Sequence, residues 1–291
     1  MKRCCVLVFA ALLSVPLGFA QEAQNGHGRP EPPMLGVHWA RGIARARSNP
    51  DMTWHKGAIM NAAAVKVIFW GPKWANSSFV GDKISGLDLW YSGFSNSNYA
   101  KTSDEYTGSN GQVGPTSTNG GYFIDTTTAS GGNTTSPILA EVCRVIPNPV
   151  ADGYYPVYTD KPRGNAGYCA WHSYGSCGGT PVQFAFFWSL DGDPGCDPQD
   201  TTTGHSQGLA ALANVSGHEL SEARTDPRNG GWYDSSGAEN GDKCAWTFNV
   251  SSVAFPNGTH WKLQDEWSNA AYNAGTGYPN SSGQKGCLDG H

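Results

Sequence analysis

Val215-Ser216-Gly217-His218-Glu219-Leu220-Ser221-Glu222-Ala223-Arg224-Thr225-Asp226-Pro227 is the stretch from which the rest of the chain is best read. It reads as the second half of a helix over about 206–226, stopped by Asp226-Pro227 because proline cannot continue a helix. At 3.6 residues per turn, His218 and Glu222 fall on one face, one turn apart, with Glu219 offset around the axis. The layout is H-E-x-x-E. It differs from the zinc-binding helix H-E-x-x-H only in its second ligand, and an ionised carboxylate also ligates zinc. The expectation is a zincin-like centre in which His218 and Glu222 bind Zn2+ and Glu219 acts as general base. The plainer alternative is a solvated helix face with Glu222 paired along the helix.

Downstream, Gly230-Gly231-Trp232-Tyr233-Asp234 turns the chain back, and Glu239-Asn240-Gly241-Asp242-Lys243-Cys244 offers further carboxylates beside a cysteine. A three-ligand site needs a third donor on a returning segment. Asp242, Glu239 and Asp234 are the candidates.

Upstream, Gly204-His205-Ser206-Gln207-Gly208 matches the nucleophile-elbow pattern G-x-S-x-G. That motif needs a buried strand before the serine. The polar run Asp197–Thr203 with its Pro198 is no such strand, so Ser206 is read as the helix start, and a serine hydrolase is kept only as a third reading. Asp191, Asp193, Asp197 and Asp200 lack the spacing of a calcium loop and read as turn residues. His172 is read as bonded within a disulfide loop, His55 likewise as structural, and Trp70, Trp188 and Trp246 as core.

The chain opens with Met1-Lys2-Arg3, an apolar run from Cys5 to Gly18, and Gly18-Phe19-Ala20, the pattern of a signal peptide over 1–20. Of the eight cysteines, Cys4 and Cys5 would leave with it. Cys143, Cys169, Cys177, Cys196, Cys244 and Cys287 would remain. An even number in an exported chain implies disulfides, with fifteen possible pairings. No later apolar run is long enough for a membrane span. A net charge of -5 provides no basic patch, so nucleic acid is not an expected partner.

Residues 21–51 are rich in Gly, Pro and Arg and read as a flexible basic segment, with a single domain over 52–291. Strands are expected at Val65–Trp70, Tyr122–Ile124 and Pro181–Leu190, and in the late segments Trp246–Phe248 and His260–Trp267. Helices are expected over Phe79–Phe94 and Ser136–Ile146, and Gly167–His172 as an extended turn. The fold class is α+β: a mixed sheet packed on the long helix and stabilised by disulfides. Six N-x-S/T sequons include Asn214, four residues before His218 on the same helix face, where a glycan would block the site.

Several of these motifs occur together and in order: Gly167-Tyr168-Cys169 with Trp171-His172, His218–Glu222, Thr225-Asp226-Pro227, Trp232-Tyr233, Glu239 with Gly241-Asp242 and Cys244, and Gln264 with Trp267-Ser268. In this the chain resembles the EXORDIUM-like, or phosphate-induced protein 1, family over roughly 52–287. The resemblance implies a secreted, extracellular or cell-wall-associated protein linked to growth and cell expansion. It implies no settled chemistry. Asp226 stands where that family usually has Asn, and the basic 21–51 segment is also a departure. The leading expectation is therefore a secreted metal-dependent hydrolase acting on peptide. The alternative is a non-catalytic protein that binds a cell-wall polymer or signals.

Overall fold

The computed structural model describes residues 31–43 and 50–290. Its compact unit is Glu31–His291. The expected signal peptide lies outside the described residues.

The principal strands and helices, in chain order, are β1 (Leu35–Trp39), β2 (Ala63–Trp70), α1 (Lys83–Phe94), β3 (Ser117–Asp125), α2 (Ser136–Val145), β4 (Gly153–Pro162), β5 (Tyr168–Cys177), β6 (Thr180–Ser189), α3 (Gln207–Thr225), α4 (Asn240–Lys243), β7 (Glu266–Trp267) and β8 (Lys285–Leu288). Six of the strands form one mixed sheet in the order β1-β5-β6-β4-β2-β3. The run from β6 through β4 and β2 to β3 is parallel; β5 pairs antiparallel with β6, and β1 antiparallel with β5.

Each parallel connection near β2 carries a helix, α1 between β2 and β3 and α2 between β3 and β4, as parallel neighbours require. The β5–β6 hairpin closes through Gly178-Gly179, whose φ values of 58° and 90° suit the mirror-image turn that matches strand twist. The inner strands are aromatic and β-branched. Phe69, Tyr158 and Phe187 stack across β2, β4 and β6, with ring centroids 5.5 and 4.4 Å apart.

Against this sheet lies α3, in contact with β1, β5, β6, α1 and α4. Ser206 caps it, accepting the Leu209 N–H at 3.2 Å. Every residue from Gly208 to Thr225 is buried, so the helix has no solvated face. The solvated-face alternative does not hold. Arg224 is satisfied in the interior by donating to the carbonyls of Ala100 (3.0 Å) and Gly114 (2.7 Å), with its guanidinium over Phe94.

Three pairs, Cys143–Cys177, Cys169–Cys196 and Cys244–Cys287, form disulfides. No helix among the described residues is long and apolar enough to cross a membrane.

Four expectations need correction. Gly167–His172 is not an extended turn; its residues from Tyr168 onward begin the ten-residue strand β5. Trp246–Phe248 is not a strand. The helix expected over Phe79–Phe94 is broken at Gly81, leaving Ser77–Val80 and α1 as separate pieces. The segment 21–51, expected to be flexible, contributes the sheet strand β1 (Leu35–Trp39).

Candidate metal centre

The helical period places His218 and Glu222 side by side. His218 Nε2 lies 3.0 Å from Glu222 Oε2 and 3.8 Å from Asp242 Oδ1. Asp242 reaches them because α4 docks its N-terminal turn on α3: the Asp242 N–H donates to Glu222 Oε1 at 2.8 Å. Gln264 braces the same corner. Its Nε2 donates to the Gly241 carbonyl at 2.8 Å and lies 3.1 Å from His218 Nδ1. Its own backbone N–H donates to Asn214 Oδ1 at 2.8 Å. Asn214 is thus an interior hydrogen-bonding residue, and the fold leaves no room for a glycan on it.

The donor set is larger than the helix motif implies. Three overlapping triads, His218–Glu222–Asp242, His172–Glu222–Glu239 and His38–His218–Glu219, each bring one ligand atom per residue within 4.8 Å of the others. His172 extends from β5 to 3.3 Å between its Nε2 and Glu239 Oε1, so it belongs to the centre and not to a disulfide loop. His38 comes from β1 and stacks on His218 at 4.1 Å, with the Trp246 ring tilted against it at 4.6 Å. Sequence reasoning missed it. The alternation Leu35, Val37, Trp39 was a usable strand signal, hidden by the basic, proline-rich composition around it.

Electrostatics follow from burial. His218, Glu219, Glu222 and His172 have no exposed surface, and Glu239 has 2%. Burial, then Glu222 and Asp242, hold the Glu219 carboxyl well above its usual pKa, while the His38 backbone amide pulls the other way. Burial also raises Glu222, against the pull of His218, and raises Glu239 strongly with help from Asp226 and Glu222. Burial and the adjacent His218 lower His172 to about 3, so its imidazole is neutral. Glu239 Oε2 is buried with no hydrogen-bond partner, and neither Glu219 oxygen makes a hydrogen bond of normal geometry. A buried anion cluster of this kind is costly unless a cation neutralises it. Neutral imidazole and clustered carboxylates are the donors a divalent metal takes.

The remaining candidates lie elsewhere. Asp234 receives the N–H groups of Ser236 and Ala238 and pairs with Lys243 at 3.3 Å, outside the triads. The Ser206 hydroxyl donates to Asp82 Oδ1 at 2.5 Å, and residues 190–205 before it are loop, so no strand leads directly into the serine. His55 stacks on Tyr233 at 3.5 Å on the surface. Asp193, Asp197 and Asp200 accept N–H groups two residues ahead, as turn residues do. Asp191 pairs with Lys83. Trp70 and Trp188 are core residues, and Trp246 is half-buried.

Near the centre, burial raises Asp265 to about 7 despite hydrogen bonds from Asn249. A carboxyl with a raised folded-state pKa binds more protons in the native than in the unfolded state. Its contribution is therefore intact below about pH 4 and is lost as pH rises toward 7, at a cost of about 4 kcal/mol. Asp265→Asn should flatten the pH dependence of thermal unfolding between pH 4.5 and 7 and raise the midpoint at pH 7.5. An unchanged profile would show that Asp265 titrates normally in the fold.

No protein-family model, curated protein or solved structure matches the chain.

Proposed function

We infer that the centre binds one divalent metal, zinc by its nitrogen and oxygen donors, and that the protein is a secreted metal-dependent hydrolase acting on peptide. The observation that carries this reading is the His218–Glu222–Asp242 triad inside a buried cluster of carboxylates and imidazoles. His218, Glu222 and Asp242 would hold the ion, with His172 and Glu239 as the adjoining donors. One imidazole and two carboxylates neutralise a divalent charge. A bound zinc supplies Lewis acidity and lowers the pKa of water. Glu219, beside His218 and without a strong carboxylate hydrogen bond, takes the proton from the attacking water. The three disulfides suit an oxidising, extracellular location, as does the resemblance to EXORDIUM-like proteins.

Metal content of the purified protein, measured by mass spectrometry beside His218→Ala and Glu222→Ala, tests the site. About one zinc per chain, lost in both variants with the circular dichroism spectrum preserved, is the expected result. A protein that takes up no metal after incubation with zinc sinks the reading. Glu219→Gln should keep its zinc and lose hydrolysis by about 10²–10⁴-fold.

The burial of the donors favours a second reading, in which the ion is a structural staple of a binding protein. On that reading Glu219→Gln has no hydrolysis to lose, and chelation lowers stability alone.

A further inference from the structure

With β1 in place, His172, His218, Glu219 and Glu222 have no exposed surface, so hydrolysis of a polypeptide there requires the covering strand to give way. That strand is one of the two edge strands of the sheet and the first of the compact unit. Its pairing with β5 is irregular. Leu35 lies opposite His172 and His38 opposite Ala170, so three steps along β1 span two along β5, which is a bulge. The bulge presses Gly36, at φ 47°, into the centre. A Cβ there would lie 1.9 Å from Glu222 Oε2 and 2.6 Å from His172 Cδ2. Two residues along the strand, the His38 backbone amide lies against Glu219. A cavity of about 230 Å³ follows the strand, lined by Leu35, Gly36, Val37, Glu239 and Asp242.

We propose that β1 is a built-in occupant of a peptide groove: the ligand of this site is an extended polypeptide that takes the place of β1, paired antiparallel with β5, with a glycine-sized residue over Glu222 and His172. The sheet edge supplies main-chain hydrogen bonds, and the alternating side chains supply selectivity. The bulge passes only a residue without a bulky Cβ, so the groove selects for a small residue at that position. The chemistry of the occupant's cleavage rests on the metal reading above; its binding does not.

Two measurements on the full chain decide it. In native-state hydrogen exchange, the amides of Val37, His38 and Trp39 should open while those of β4 and β6 stay protected. Exchange of β1 only through global unfolding overturns the proposal. The Gly36→Ala chain, whose strand the new Cβ expels, should bind a fluorescent synthetic peptide of residues 34–41 at least ten-fold more tightly than the wild-type chain. The same peptide with Val in place of Gly36 should not bind. If Gly36→Ala does not fold, His38→Ala, which removes the stacking on His218, serves in its place. A released β1 with no peptide binding overturns the groove. Zinc content of the same samples separates the two readings: peptide binding without zinc ends the hydrolase and keeps the groove, and zinc without peptide binding does the reverse.

Discussion

Saturating zinc is expected to raise the thermal unfolding midpoint of the metal-stripped protein by roughly 8–16 °C, and Glu222→Gln should abolish the rise. A ligand that binds only the native state at a thousand times its dissociation constant adds about 4 kcal/mol. In a domain of this size each kcal/mol moves the midpoint by about 2–4 °C. Glu222 is the residue to change because it is shared by two of the three triads. Gln retains an oxygen to accept the Asp242 N–H, which Glu222 Oε1 accepts at 2.8 Å. It carries no charge into a cluster whose burial already opposes ionisation of Glu222. The metal-free variant should therefore melt close to the metal-free wild type, so that loss of the zinc response reports the ligand and not the fold. A zinc shift of equal size in both proteins would place the ion elsewhere.

Replacing Cys244 and Cys287 by Ser should destabilise the protein by about 4 kcal/mol and weaken zinc binding by about ten-fold or more. The first figure follows from opening a loop of 43 residues in the unfolded chain. The second has a local origin. Cys244 directly follows α4, which brings Asp242 to Glu222. Cys287 lies in β8 opposite Trp267 of β7. The bond therefore ties the ligand-bearing turn to the segment that follows Gln264, the residue bracing His218 and Gly241. Supporting residues of this kind typically govern metal affinity by ten- to a hundred-fold. The Cys143–Cys177 bond closes 34 residues between α2 and the end of β5, away from the donors. Its removal should cost nearly as much stability and leave zinc affinity unchanged. Equal effects on affinity from both removals would mean that the centre senses global stability only.

Much of this was readable locally. The spacing of His218 and Glu222 puts them on one face of a helix whatever surrounds it, because the period is a property of the backbone. Ser206 as cap and Asp226-Pro227 as stop are equally local, and the helix runs from Gln207 to Thr225. The β-branched and aromatic runs of β2 and β6 declare themselves by composition. In contrast, β4 carries Pro156 inside a central strand, where a missing N–H argues against strand and outweighed the β-favouring Tyr154, Tyr155, Val157, Tyr158 and Thr159. The cysteine count implied disulfides, but only the fold selected three pairs from the fifteen possible pairings.

The wider donor set was decided by tertiary structure alone. His172 and His38 reach His218 because β5 and β1 pair at one sheet edge, over which α3 packs. Strand pairing between segments distant in the chain leaves no periodic trace in either of them. The docking of α4 on α3 brought Asp242 to Glu222, while Asp234 was drawn into its own turn. The sequence determined which helix face carries His218 and Glu222; long-range packing determined what stands opposite that face and buries it, because burial and strand register are properties of the assembled fold.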